Sequence, residues 1–181
     1  MGTGSGNIII SLARNIGAKN FFLATDISKG AIQIAKKNAN FHRVSKKIKF
    51  FTGDLFAPIW HNPQTRAQIK NNALSAIFII ANLPYLNNKI YQSAQPEIKH
   101  YEPKSALQSN QEGLAHYKKL FTQIRKIEKN SNEFHFPIYF FLEISPEQKN
   151  KLEKIITSHW NHTEIFFHKD LAGKWRVCEC A

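Results

Sequence analysis

Residues 2–26 have the sequence GTGSGNIIISLARNIGAKNFFLATD, and this stretch decides the fold class. The glycine-rich segment Gly2–Gly6 stands directly before Asn7–Ile16, where the apolar spacing predicts a helix. The apolar run Phe21–Thr25 predicts a β-strand that ends at the acidic residue Asp26. Glycines permit positive φ angles and close backbone approach, and a helix start offers unpaired N–H groups, so the pattern is typical of nucleotide-binding folds. A flexible terminus is the alternative explanation of the glycines.

Strands and helices alternate through the rest of the chain. Ser28 is suited to cap a second helix that extends to about residue 39. The later predicted helices are 111–127 and 146–158, and the predicted strands are 48–52, 76–81, 137–144, 163–167 and 175–180. The long polar stretch 86–110 is expected to form the active-site loop. Such alternation predicts an α/β fold with a doubly wound sheet.

Two further strand ends carry residues suited to a nucleoside ligand. Asp26 is positioned to accept hydrogen bonds from ribose hydroxyls, although it would also serve as a cap for the following helix. Asp54, after the strand 48–52, is suited to accept a hydrogen bond from an adenine amino group, and Leu55 to cover the ring. A surface turn is the alternative for these two residues. Because open α/β sheets bind ligands at the carboxyl ends of their strands, we favour the binding role.

The tetrapeptide Asn82-Leu83-Pro84-Tyr85 follows the apolar strand 76–81 and carries the most specific chemical signal. A nitrogen that is to be methylated has two hydrogens, which the Asn82 side-chain oxygen and the Leu83 carbonyl are suited to accept. Pro84 stiffens the turn and Tyr85 offers a flat aromatic face. The arrangement predicts catalysis by positioning of the acceptor nitrogen. An ordinary strand-ending turn is the alternative.

Composition limits the classes of function. The chain has 181 residues, of which 43% are hydrophobic, enough for a packed domain, and no apolar run has the length of a membrane span. Cys178 and Cys180 are one residue apart in a predicted strand, so they share a face and cannot easily form a bridge. The eight histidines form no recognisable ligand set, and we predict no metal. We expect a reducing, cytoplasmic location and no membrane association.

The net charge of +12 has two explanations that the sequence leaves open. A basic surface would fit a nucleic acid or a ribosome-associated partner. Lysines scattered among many Asn, Ile and Phe residues would instead reflect a compositional bias. The compact basic run is Lys46-Lys47-Ile48-Lys49.

Together, Gly2–Gly6, Asp26, Gly53-Asp54 and Asn82–Tyr85 resemble the motif set of the amino-methyltransferases within the class I S-adenosylmethionine-dependent methyltransferases. The family tetrapeptide is usually Asn-Pro-Pro-Tyr. Leu83 departs from it but keeps the backbone carbonyl, so the chemistry should survive. Ribosomal RNA adenine dimethyltransferases also use Asn-Leu-Pro-Tyr, which makes them a rival family.

The later sequence resembles the release factor glutamine N5-methyltransferases. The segments that carry this resemblance are Tyr101-Glu102-Pro103, Ala106-Leu107, Glu112-Gly113-Leu114 with Tyr117, Phe141-Leu142-Glu143-Ile144 with Gln148, and Lys169-Asp170-Leu171-Ala172-Gly173 with Arg176. One departure is Ser109-Asn110, where the family commonly has paired glycines. The resemblance covers nearly the whole chain.

The resemblance implies a catalytic domain over residues 1–181, with a mostly parallel Rossmann-like sheet and an antiparallel C-terminal hairpin. It implies that an N-terminal helical substrate-recognition domain and the first strand of the sheet are missing from this chain. The cofactor would be S-adenosylmethionine, held by Gly2, Thr3, Gly4, Ser5, Gly6, Asp26, Asp54, Leu55 and Asn82. Asn82, Leu83, Pro84 and Tyr85 would be catalytic.

The implied substrate is the glutamine of the Gly-Gly-Gln motif of peptide chain release factors, and we expect the enzyme to act as a monomer. Two alternatives stay open. The first is methylation of adenine N6 in RNA or DNA, which Leu83 and the net charge favour. The second is an inactive fragment or binding module.

Overall fold

The structure, a computed structural model, describes residues 1–17, 20–71, 76–85, 110–130 and 136–181. The chain divides into two compact units, Met1–Ala73 and Leu74–Ala181. The assignment of residues 1–181 to one catalytic domain stays a prediction.

The first unit is built around a pair of parallel strands. Its elements are α1 (Asn7–Asn15), β1 (Phe22–Asp26), α2 (Lys29–Phe41), a short 3-10 turn (Ser45–Lys47), β2 (Ile48–Thr52), α3 (Ala57–His61) and α4 (Pro63–Asn71). β1 and β2 run parallel from the pair Phe22 and Ile48 to the pair Asp26 and Thr52. The core joins both strands to α1 and α2 through small and branched side chains, including Ala13, Ala24 and Ala39. Both strands therefore end at the same edge of the sheet.

The second unit has a four-stranded mixed sheet. Its elements are β3 (Ile77–Ala81), α5 (Asn110–Gly113), α6 (Ala115–Asn130), β4 (Ile138–Glu143), a 3-10 turn (Pro146–Gln148), α7 (Lys149–His159), β5 (Ile165–Lys169) and β6 (Trp175–Cys180). The strand order is β3-β4-β6-β5. β3 and β4 are parallel, and β6 is antiparallel to both β4 and β5.

The buried face of this sheet packs against α6 and the end of α7. Alternate side chains of β4 are buried, among them Phe140. Phe121 of α6 meets Phe140 edge-on at a ring separation of 5.4 Å, and Trp160 lies 5.5 Å from both rings. Such aromatic contacts add to the stabilisation that burial of apolar area provides.

The α/β fold with parallel strands and an antiparallel C-terminal pair is confirmed. The strands 48–52 and 175–180 have the predicted bounds, and Ser28 caps α2 by accepting a hydrogen bond from the Ala31 N–H at 3.2 Å. Cys178 and Cys180 are free thiols, and both are buried on one face of β6, as predicted.

The prediction of one continuous helix over 111–127 was wrong. Glu112 and Gly113 have positive φ angles of 59° and 86°, so the chain ends α5 there and begins α6 at Ala115. The predicted helix 146–158 begins as a 3-10 turn, and the sequence interpretation omitted α3 and α4. The predicted active-site loop, with the segments 101–103 and 106–107, lies outside the described residues apart from Asn110, where α5 begins. Within the described part of the chain, no helix is long and apolar enough to cross a membrane.

Candidate active site

The glycine-rich segment forms a tight loop at the end of β1. Gly2, Gly4 and Gly6 all have positive φ angles, of 62°, 53° and 89°. The Thr3 N–H donates to the Thr25 carbonyl at 2.9 Å, and the Gly6 N–H donates to the Thr3 carbonyl at 2.8 Å. α1 begins directly after Gly6, which supplies no side-chain cap for the first-turn N–H groups. The start of α1 thus presents first-turn N–H groups without a side-chain cap next to this loop.

Asp26 holds this loop in place. Its Oδ2 accepts a hydrogen bond from the Gly4 N–H at 2.9 Å, and its Oδ1 accepts one from the Ser28 N–H at 2.9 Å. The cap of α2 is Ser28 itself, so Asp26 is not merely the helix cap. Each carboxylate oxygen can accept more than one hydrogen bond, and Asp26 is partly exposed. The side chain therefore keeps acceptor capacity for a further hydroxyl or amine donor.

Asp54 and Leu55 lie in the turn that follows β2. The Gly53 N–H donates to the Asp26 carbonyl at 2.9 Å, which brings this turn beside Asp26. The Asp54 carbonyl accepts a hydrogen bond from the Ala57 N–H at 3.2 Å at the start of α3. Leu55 has a positive φ of 54° and is buried. The first unit thus brings together the segments that carry its predicted site residues, which are Gly2–Gly6, Asp26, Asp54 and Leu55.

The tetrapeptide Asn82-Leu83-Pro84-Tyr85 follows β3 in the second unit. Asn82 is exposed, while Leu83 is only 3% exposed. A backbone hydrogen bond links Leu83 to the Tyr117 hydroxyl, which in turn donates to the Glu143 carbonyl. Burial raises the pKa of Tyr117 well above its ordinary value, and the Leu83 hydrogen bond opposes this only in part. The hydroxyl therefore stays protonated and ties the tetrapeptide to the end of β4.

Gln148 fixes the other end of the tetrapeptide. This side chain is 2% exposed, and its Nε2 donates to the carbonyls of Tyr85 at 3.1 Å and Glu112 at 3.2 Å. Its Oε1 accepts a hydrogen bond from the Ser145 N–H at 3.0 Å. A Cβ atom at Gly113 would lie 1.9 Å from the Tyr85 carbonyl oxygen. The α5–α6 junction therefore packs directly on the Tyr85 backbone.

A cluster of charged side chains surrounds the Tyr85 hydroxyl, which donates to Glu143 Oε1 at 3.3 Å. The Lys174 N–H and the Arg176 guanidinium hold the pKa of Asp170 below its ordinary value of 3.8. The Asp170 carboxylate raises the pKa of Arg176, and Tyr85 and Glu143 contribute to the same shift. Arg176 Nε donates to Asp170 Oδ2 at 2.9 Å. Glu143 and Arg176 thus place charged groups near the Tyr85 hydroxyl.

The sequence interpretation named the tetrapeptide but not the side chains that fix it, namely Tyr117, Glu143 and Gln148. These residues occur in segments that carry the family resemblance, and this resemblance was the only sequence signal that could have identified them as functional. Their contacts join positions 26 to 63 residues apart, so only the folded chain reveals them.

Comparison with known proteins gives close agreement along the chain. The chain is 35% identical over 177 residues to the release factor glutamine methyltransferase of Dictyoglomus turgidum, covering 98% of this chain and 56% of that protein. It is 32% identical over 178 residues to the enzyme of the same name from Staphylococcus aureus, with 98% and 57% covered. The chain thus spans about half the length of the curated relatives that it matches. No family model matches it.

Solved structures confirm the fold. The human Mettl16 catalytic domain, crystallised with the MAT2A 3′UTR hairpin 1, superposes with a TM-score of 0.66 at 14% identity, covering 99% of this chain and 61% of that one. A structure described as a putative rRNA-methylase from Clostridium thermocellum has a TM-score of 0.56 at 12% identity, with 98% and 82% covered. At these identities the likeness concerns the Rossmann-like methyltransferase fold alone.

Proposed function

Because the chain is similar along almost its whole length to curated release factor glutamine methyltransferases, we propose that it methylates peptide chain release factors. The methyl group would pass from S-adenosylmethionine to the side-chain amide nitrogen of the glutamine in the Gly-Gly-Gln motif. The observation that carries the proposal is similarity along 98% of the chain to relatives with this name, at up to 35% identity. The strand-ending Asn82-Leu83-Pro84-Tyr85 supports it, because its groups suit a nitrogen acceptor.

The chemistry of the first-unit residues fits the cofactor. Asp26 would accept hydrogen bonds from the ribose hydroxyls, because its oxygens keep acceptor capacity beyond Gly4 and Ser28. The backbone donors of Gly2–Gly6 would face its polar end, and Asp54 with Leu55 its adenine. When bound, S-adenosylmethionine supplies an electrophilic methyl group on a sulfonium sulfur. Asn82 is also proposed to contribute to cofactor binding.

The tetrapeptide would hold the substrate amide. The Asn82 side-chain oxygen and the Leu83 carbonyl would each accept one hydrogen of the glutamine amide nitrogen. Pro84 would limit the freedom of the turn, and the Tyr85 ring would pack on the amide plane. No strong base is required, because the N–H groups become acidic as the nitrogen gains the methyl group, and one proton then passes to water. The contribution of these residues is therefore orientation of the nitrogen.

The contacts around the tetrapeptide support this positioning role. Gln148 donates to the Tyr85 backbone carbonyl and Glu143 accepts from the Tyr85 hydroxyl, so Tyr85 is held at its backbone and at the tip of its ring. Small displacements of a positioning group lower the rate of a reaction. The contacts with Gln148 and Glu143 would therefore help Tyr85 to keep its ring in one orientation against the substrate amide.

A second candidate is N6 methylation of adenine in RNA or DNA. Leu83, which the rival family shares, and the net charge of +12 favour it. The relatives that cover 98% of the chain carry the release factor name, which favours the glutamine substrate. We propose no membrane partner and a monomeric enzyme.

Transfer of a labelled methyl group distinguishes the candidates. The protein is incubated with labelled S-adenosylmethionine and either a release factor or an unmodified RNA. We expect label on the release factor and a loss of about 10²–10³ in rate for Asn82→Ala. Cofactor affinity should stay largely intact in calorimetry, because most of the proposed cofactor contacts come from the first unit. Label on adenine would support the second candidate, and label on neither substrate would indicate an inactive fragment.

A further inference from the structure

Most of the positive charge of the chain lies in its first unit. Residues 1–73 contain 11 basic residues and two acidic ones, a formal charge of +9 out of +12 for the whole chain. The two acidic residues are Asp26 and Asp54, and both belong to the proposed cofactor site. The other charged side chains of this unit are all Lys or Arg, so its surface lacks the carboxylates that would balance them.

An open groove of about 630 Å³ lies in this unit, among α2, β2 and the start of α4. Three lysines line it, Lys36 and Lys37 from α2 and Lys49 from β2, together with the aromatic side chain of Phe51. The described residues that line this basic groove include no carboxylate. Lys36 and Lys37 are exposed. The groove therefore combines positive charge with an aromatic surface.

Internal hydrogen bonds make the polar lining rich in donors. Asn40 Oδ1 accepts a hydrogen bond from the Ser45 hydroxyl at 3.1 Å. Asn62 Oδ1 accepts from both the N–H and the hydroxyl of Thr65, each at 2.9 Å. The amide oxygens of Asn40 and Asn62 are thus engaged within the protein, while their amide N–H groups can donate to a ligand. A ligand that offers acceptor oxygens and negative charge fits this lining.

We propose that the basic groove binds the phosphodiester backbone of a single-stranded nucleic acid. Lys36 and Lys37 contact phosphates, and Phe51 offers a ring to a base. Arg43 and Lys46 are exposed and lie in the same stretch of the chain as the lining residues Asn40 and Ser45. A groove lined by lysines and an aromatic ring suits a polymer that carries both phosphates and bases better than an acidic peptide. This binding goes beyond the proposed methyl transfer and does not depend on it.

Fluorescence anisotropy with labelled single-stranded oligonucleotides of about 16 nucleotides tests the proposal on the full chain. The dissociation constant is measured at several salt concentrations for the wild type and for Lys36→Gln/Lys37→Gln. The matched control is Lys118→Gln/Lys126→Gln, which removes two exposed lysines from α6. We expect the groove variant to bind about tenfold more weakly and to lower the salt slope by about 1.4, because each phosphate contact contributes about 0.7. The control should keep the wild-type slope.

Further variants and competitors complete the test. Lys36→Arg/Lys37→Arg should restore the slope, and thermal melts should show that all variants fold. Equal binding of RNA and DNA supports recognition of the backbone, and tighter RNA binding supports an added contact to the 2′-hydroxyl. The proposal is overturned if the wild type does not bind at low salt or if the control loses as much slope as the groove variant. Displacement of RNA by polyglutamate at equal charge would overturn it in favour of an acidic protein partner.

Discussion

At the residue scale, the hydroxyl of Tyr117 connects the tetrapeptide to the end of β4. It receives the backbone hydrogen bond of Leu83 and donates to the Glu143 carbonyl. Tyr117 is fully buried. If the hydrogen bond between Leu83 and the Tyr117 hydroxyl is removed, water cannot replace it, so the loss destabilises the fold. The Leu83 N–H makes this hydrogen bond, and a proline at position 83 would have no N–H to make it.

Leu83→Pro separates stability from chemistry. Proline keeps the carbonyl that is proposed to bind the substrate but removes the N–H that reaches the Tyr117 hydroxyl. We expect the free energy of unfolding to fall by about 1–3 kcal/mol, while methyl transfer is nearly unchanged in the folded fraction. Urea denaturation measures the first quantity and labelled methyl transfer the second. A large loss of transfer by folded protein would show that the Leu83 side chain itself takes part.

Gly113→Ala should be strongly destabilising. The new Cβ would lie 1.9 Å from the Tyr85 carbonyl oxygen and 2.4 Å from Gln148 Nε2, on a residue with a φ of 86°. Strain and overpacking together predict a loss of about 3 kcal/mol or more in the free energy of unfolding. Gly173→Ala is the matched control, because its φ is 76° but nothing lies within 4 Å of the new Cβ. The control should lose only about 1–2 kcal/mol in the free energy of unfolding, measured by urea denaturation. Equal losses would mean that the contact with Tyr85 is not tight.

Residues with a local signature could be predicted, and residues defined by long-range contacts could not. Asp26 and Ser28 stand beside the strand end and helix start that give them their roles, so the pattern revealed both. Tyr117 and Gln148 lie on α6 and on the 3-10 turn after β4. Nothing in their own neighbourhood of the sequence indicates that they bind the backbone of the tetrapeptide.

At the element scale, two features of the chain escaped the apolar pattern. The spacing from 111 to 127 suits one helix, but the left-handed residues Glu112 and Gly113 divide it, because Gly113 must approach the Tyr85 backbone. α3 and α4 are short helices of five and nine residues. They follow β2 with little apolar periodicity, so tertiary packing decides them. The strands, by contrast, were apolar runs bounded by polar or turn residues and were predicted to within two residues.

The turn between β5 and β6 gives a pH-dependent prediction. Asp170 accepts hydrogen bonds from the Lys174 N–H and from Arg176, which hold its pKa below the ordinary value of 3.8. A depressed folded-state pKa stabilises the protein above pH 3.8, and the stabilisation is lost as the pH falls through the folded-state pKa. Asp170→Asn should therefore be less stable than the wild type near neutral pH, with the difference fading in acid. Urea denaturation of both proteins, near neutral pH and in acid, measures this difference in the free energy of unfolding. A difference that persists undiminished in acid would contradict this role for the charge.

At the scale of the whole molecule, the positive charge is concentrated in the first unit, and the proposed catalytic tetrapeptide lies in the second. The first unit carries +9 and places both of its carboxylates at the proposed cofactor site. The second unit carries the tetrapeptide and the side chains that support it. The sequence alone left the charge undecided between bias and function, because it does not show which lysines share a surface. Folding brings three lysines into the lining of one groove, namely Lys36, Lys37 and Lys49.

The central claim is that the protein methylates the glutamine of the Gly-Gly-Gln motif in release factors. The most direct measurement is mass spectrometry of a release factor after incubation with the protein and S-adenosylmethionine. We predict one added methyl group on the peptide that contains Gly-Gly-Gln, located on the glutamine side chain by fragmentation. The addition should be absent with the Asn82→Ala protein and with a release factor whose motif glutamine is replaced by asparagine. An unmodified motif, with methyl groups found instead on RNA adenine, would contradict the claim.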